Sequence, residues 1–116
     1  MKSKTEDTTA ESRGANQEIA KTILEQLGGR KFVVMTGAKK FLVGNRSLLF
    51  RLPAKGGWAK RGINIVTVTL NGLDLYDVEF KRLFKLEVKT VAEESGVYAE
   101  DLQKVFTEHT GLRCRL

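Results

Sequence analysis

The chain has 116 residues, 41% of them hydrophobic, with a net charge of +6 and a pI near 9.6. That length suits one domain with its own core, and the apolar content argues against global disorder. No run approaches the roughly eighteen apolar residues of a membrane span, and the lone cysteine, Cys114, excludes an intrachain disulfide, so a soluble cytoplasmic protein is expected.

Residues 1–14, MKSKTEDTTAESRG, are polar and lack the apolar stretch of a signal peptide; a disordered tail is expected there, ahead of a single domain at 15–112. In ANQEIAKTILEQLGG, Ile19, Ala20, Ile23, Leu24 and Leu27 recur at helical spacing and leave Glu18, Lys21 and Glu25 outside. This predicts a helix over about 16–27, capped by Asn16 and stopped by Gly28-Gly29.

KFVVMT is short, apolar and rich in β-branched residues, and GAKK punctuates it; it reads as a strand followed by a turn. FLV reads as a second strand and GN as a turn. In SLLFRL, Leu48, Phe50 and Leu52 share one face and Ser47, Leu49 and Arg51 the other, until Pro53 ends the strand. AKGGWAKRG is a flexible loop carrying Trp58.

INIVTVTL alternates cleanly, with Val66, Val68 and Leu70 on one side and Thr67 and Thr69 on the other; Asn71-Gly72 then signals a hairpin. In LYDVEFKRLFKLEVKTV, Tyr76, Val78 and Phe80 oppose Asp77, Glu79 and Lys81, and Phe84, Leu86 and Val88 oppose Lys85, Glu87 and Lys89. One long bent strand fits, and so do two strands joined at Lys81-Arg82. In SGVYAEDLQKVFTEHTG, Tyr98, Leu102, Val105 and Phe106 form a helical stripe that Gly111 stops, and 113–116 is a short basic tail. The order gives an α+β two-layer sandwich, in which an antiparallel sheet of about four to five strands is flanked by an N-terminal and a C-terminal helix. The helices would cover the face bearing Val66, Val68, Leu70, Val78 and Phe80.

Few residues suggest chemistry. His109 and Cys114 are the only imidazole and thiol, short of the ligands a structural zinc needs, and His109 reads as a surface helix residue. Asp74, Asp77 and Glu79 could hold Mg²⁺ in a nuclease-like site, but such a pair on one strand face is ordinarily solvated beside lysines such as Lys81. Neither Gly-Lys stretch matches a phosphate-binding loop. The expectation is a protein without enzymatic activity, metal or cofactor.

The charge is unevenly placed. From Arg30 to Arg61 there are nine Lys or Arg residues and no Asp or Glu, a local charge of +9, whereas the rest of the chain sums to −3. Lys39, Lys40, Arg46, Arg51, Lys55, Lys60 and Arg61 fall in turns, at strand ends or in the Gly-rich loop, where they can gather on one rim. Such a rim suits a phosphate backbone, with Trp58 placed to stack on a base. Nucleic acid, DNA or RNA, bound largely without sequence preference is therefore the expected partner, and an acidic protein surface is the alternative.

Three stretches, ILEQLGGRKFVVMTGAKKFL, VTVTLNGLDLYDVEF and GVYAEDLQKVFTEHTGL, resemble a family of small uncharacterised proteins carried by bacteriophages and mobile elements of bacteria. The likeness spans about residues 18–112, and its distinctive pieces are VMTGAK, NGLDLYD and LQKVFTEHTGL. It brings no activity residue by residue. It implies a nucleic-acid accessory or an inhibitor of a host factor, such as a nuclease, rather than a metabolic enzyme.

Overall fold

The structure, a computed structural model, describes residues 10–53 and 62–112. The N-terminal stretch 1–9, the loop 54–61 with Trp58, and the tail 113–116 with Cys114 lie outside the described residues.

Helix α1 runs from Ala10 to Leu27, so it begins ahead of Asn16 and takes in residues 10–14 of the expected tail. Asn16 therefore does not cap it. Its Oδ1 instead accepts the Arg46 backbone N–H at 2.9 Å. Ala20, Ile23 and Leu27 are buried and Glu18, Lys21 and Glu25 are exposed, as the periodicity predicts. The helix stops at Gly28, but the chain turns at once into a second helix, α2, from Gly29 to Thr36.

Helix α2 replaces the strand expected at KFVVMT. Phe32 and Thr36, four apart, are buried, while Val34 points out at 74% exposure, a helical rather than a β pattern. Val33 and Val34 each cost a few tenths of a kcal/mol of helix propensity. The burial of Phe32 outweighs this: its ring sits edge-on to Phe50 at 5.3 Å and to Phe106 at 5.2 Å. Gly37 ends the helix with φ 76° and donates to the Val33 carbonyl at 2.9 Å.

Five antiparallel strands follow in a simple meander: β1 (Lys39–Gly44), β2 (Ser47–Arg51), β3 (Ile65–Leu70), β4 (Tyr76–Phe84) and β5 (Glu87–Val97). A short 3₁₀ turn at Ala99–Asp101 leads into α3 (Leu102–Thr110), which Gly111 ends with φ 78°. Leu102, Phe106 and Thr110 form the buried stripe of α3, whereas Tyr98 lies ahead of it, 58% exposed, and not on the stripe. The expected α+β architecture thus stands, with five strands and, among the described residues, three helices.

One sheet face, bearing Leu48, Phe50, Val66, Val68, Val78 and Phe80, is buried, and Leu70 is half-buried at its margin. The aromatic contacts of Phe50 with Phe32 and Phe106 place α2 and α3 on this face. The other face, with Arg51, Thr67, Thr69 and Glu79, is half-buried to exposed.

Two connections depart from the turn chemistry. Asn71-Gly72 does not form a two-residue turn. The loop reaches Leu75, the left-handed residue is Asp74 (φ 62°), and Asn71 Oδ1 accepts the N–H groups of Leu73 and Leu75 at 2.8 and 3.2 Å. Further on, the chain does not bend at Lys81-Arg82. It stays extended to Phe84 and reverses at Lys85-Leu86, both with positive φ (53° and 67°).

Candidate nucleic-acid interface

The strand register decides which cations meet. Lys39 pairs with Arg51, Arg51 with Ile65, and Ile65 with Lys81, so one cross-strand row on the open face carries Lys39, Arg51 and Lys81. The next row outward pairs Arg82 with Lys89. Both rows lie at the end of the sheet where β1 and β3 begin and where β2 ends. Moving inward, Glu79 pairs with Glu93, and Asp77 with Thr69. The sheet is therefore polarised along its strands, with cations at one end and carboxylates in the middle and beyond.

Within the row, Lys39 is exposed and Arg51 half-buried. Lys81 Nζ lies 3.3 Å from Glu79 Oε1. Lys40 sits in β1 rather than in a turn. Its φ of 56° coincides with a register shift between Lys39 and Leu42, a bulge that leaves Lys40 exposed on the edge strand.

Arg46 does not belong with them. It occupies the β1–β2 turn at the opposite end of the sheet, with φ 56°. There its Nε donates to the Leu70 carbonyl at 3.1 Å and its Nη2 to the Asn71 carbonyl at 3.3 Å. Those bonds tie one turn to the next loop, a role in the fold. Lys55, Trp58, Lys60 and Arg61 lie outside the described residues, in the segment that joins Pro53 to Gly62.

The cations that sequence reasoning set aside are Lys81, Arg82, Lys85 and Lys89. The signal was present: 81–89 reads KRLFKLEVK, with Glu87 its only acid. Their spacing offers Lys81, Lys85 and Lys89 as partners for the strand carboxylates. Lys81 does partner Glu79, whereas the late turn at Lys85-Leu86 carries Arg82, Lys85 and Lys89 onto a hairpin beyond most of those acids. The Arg82 guanidinium lies 5.0 Å from the Phe84 ring centroid and Lys85 Nζ 5.4 Å from it. Arg82, Phe84, Glu87 and Lys89 line a shallow hollow of about 70 Å³.

The acidic and imidazole side chains are held by the fold. Asp77 Oδ1 accepts from Asn71 Nδ2 and from the Gly96 N–H, each at 3.1 Å. His109 is not a plain surface residue. Its ring lies 4.7 Å from that of Phe80, and its Nε2 is 2.9 Å from Glu94 Oε2, which fastens α3 to β5. Among the described residues no group of three or more His, Cys, Asp or Glu is gathered to hold a metal ion, and no helix is long and apolar enough to cross a membrane.

No protein-family model, no curated protein and no solved structure matches this chain.

Proposed function

We propose that the protein binds nucleic acid through the cationic end of its open sheet face, without enzymatic activity and largely without sequence preference. The observation that supports this reading is the cross-strand row Lys39–Arg51–Ile65–Lys81, three cations, the last paired with Glu79, on a face that no described helix covers. Neighbouring strands lie about 4.8 Å apart, so the row spans a distance that successive phosphates can follow. In sequence, residues 54–61 stand between β2 and β3 and add Lys55, Lys60 and Arg61 with Trp58. An accessory role for a phage or mobile element is compatible with such binding.

The test is fluorescence anisotropy of labelled single- and double-stranded oligonucleotides at 50 and 200 mM salt. Binding should weaken steeply with salt, and Lys39→Glu with Arg51→Glu should lower the log–log salt slope by about two. Undiminished binding by that variant, or no binding by folded wild type at low salt, sinks the reading.

The edge strand β1 favours a second reading, a protein partner with an acidic surface, because it carries exposed Lys39 and Lys40 beside exposed apolar side chains. Leu42 and Val43 are 62% and 49% exposed on β1, and β1 has no sheet neighbour among the described residues on its outer side. An added strand from a partner would cover them. Leu42→Glu should then abolish a nuclease-resistant complex and leave oligonucleotide binding intact.

A further inference from the structure

The β4–β5 hairpin runs on past the rest of the sheet. Beyond the Lys81–Thr90 pair, the ladder continues through Arg82–Lys89, Leu83–Val88 and Phe84–Glu87 with no third strand alongside among the described residues. Its apolar side chains are not buried: Phe84 is 55% exposed, Val88 53% and Leu86 fully exposed. The tip is apolar and is flanked by Arg82, Lys85 and Lys89, with Glu87 the one carboxylate among them, so its cations can meet phosphates while Leu86 reaches apolar groups behind them.

The turn adds an independent observation. A two-residue turn with both φ values positive normally takes Asn-Gly, because side chains with a Cβ are strained there. This chain places Lys85 and Leu86 at those positions. Strain of this kind is retained where the side chains it displays are needed, as at ligand-binding tips. The Arg82 guanidinium rests on the Phe84 ring, 5.0 Å from its centroid, and its side chain passes close to Gly62.

We infer that this hairpin is an arm that enters the major groove of double-stranded DNA, with Lys85, Arg82 and Lys89 on phosphates and Leu86 at the base edges. The inference rests on the nucleic-acid reading above and narrows it to B-form duplex. Dimensions favour the groove. Past Leu83 the ribbon extends about 7 Å of backbone, which the tip side chains lengthen to roughly the 8.5 Å depth of the major groove. Two strands about 4.8 Å apart with their side chains fill its width of roughly 12 Å. The deep, narrow major groove of an RNA duplex would not admit them.

The test uses the turn variant Lys85→Asn with Leu86→Gly, which supplies ideal turn residues and should melt no lower than wild type. Loss of one phosphate contact corresponds to about an eightfold weaker duplex affinity at 0.1 M salt, and that is the expected change. Duplex DNA should also bind wild type more tightly than duplex RNA of the same sequence. If the turn variant binds duplex DNA as wild type does while Lys39→Glu with Arg51→Glu binds weakly, the arm is overturned and the open-face reading stands. If duplex RNA binds as tightly as DNA, groove entry is overturned. If wild type binds phosphatidylserine vesicles but no oligonucleotide, and the turn variant loses the vesicles, both readings fall and the tip is a membrane contact.

Discussion

The side chain of Asn64 grips the backbone of Leu83 from both sides: its Oδ1 accepts the Leu83 N–H at 2.8 Å and its Nδ2 donates to the Leu83 carbonyl at 3.0 Å. The buried amide thus stands in for one more residue of β3 and carries the sheet ladder a step further up β4. It also keeps the chain extended through Lys81-Arg82, one of the places where the sequence allows a tight turn. Asn64→Ala removes both bonds and leaves backbone groups of Leu83 without their partner, a loss of about 1–3 kcal/mol. Chemical denaturation should register that loss. Amide exchange should quicken at Leu83 and Val88 before the rest of the sheet. Uniform protection along β4 would mean that the brace is dispensable.

Arg46 separates structural from binding arginines. Its guanidinium serves the carbonyls of Leu70 and Asn71, at the end of the sheet away from Lys39 and Arg51. Arg46→Ala should therefore lower stability by about 1–3 kcal/mol and leave the salt slope of oligonucleotide binding unchanged. A slope reduced by about one, with the melting temperature untouched, would make Arg46 a phosphate contact after all.

Much of the fold could be read from period alone. The α1 stripe, the alternation in β2 and β3, and the Gly111 stop all survive in the structure, because in each the apolar spacing and the terminating residue agree. KFVVMT misled because its β-branched residues speak for a strand, while its burial is decided by an aromatic contact with Phe106, far along the chain. A local signal did exist. Phe32-x-x-x-Thr36-Gly37 repeats as Phe106-x-x-x-Thr110-Gly111. In both, the threonine hydroxyl donates to the phenylalanine carbonyl, at 2.7 and 2.8 Å, and accepts from the N–H two residues on, at 3.1 Å each. The second copy lies in an unmistakable helix end, so it identifies the first. The candidate site was legible only in part, since composition ranks charges by sequence neighbourhood, whereas register brings Lys39 to Arg51 and sends Arg46 away.

The first of those helix ends gives a test at Gly37. Its φ is 76°, and a Cβ there would lie 2.8 Å from Pro53 Cγ. Gly37→Ala meets both the left-handed penalty and a contact with a rigid ring, so it should destabilise by more than about 1 kcal/mol. Gly72→Ala is the control, since a Cβ at that position meets nothing within 4 Å and its φ is not in the left-handed region. Equal melting temperatures for the two variants would show that α2 does not end on Gly37 as described.

Tyr76 gives the fold a dependence on alkaline pH. It is buried opposite Val97, and desolvation raises its phenol above the ordinary value of 10.0. The folded state therefore holds the proton more tightly than the unfolded chain. Its contribution to stability is fully present below pH 10 and is lost as pH rises through the raised value, because folding then requires either a buried phenolate or uptake of a proton. Wild type is to be compared with Tyr76→Phe, which keeps the ring and removes only the phenol hydroxyl. Denaturant midpoints measured between pH 8 and pH 11 should fall more steeply for wild type above pH 10. A wild-type-minus-variant difference that stays constant across that range would mean that Tyr76 ionises as freely in the folded protein as in the unfolded chain.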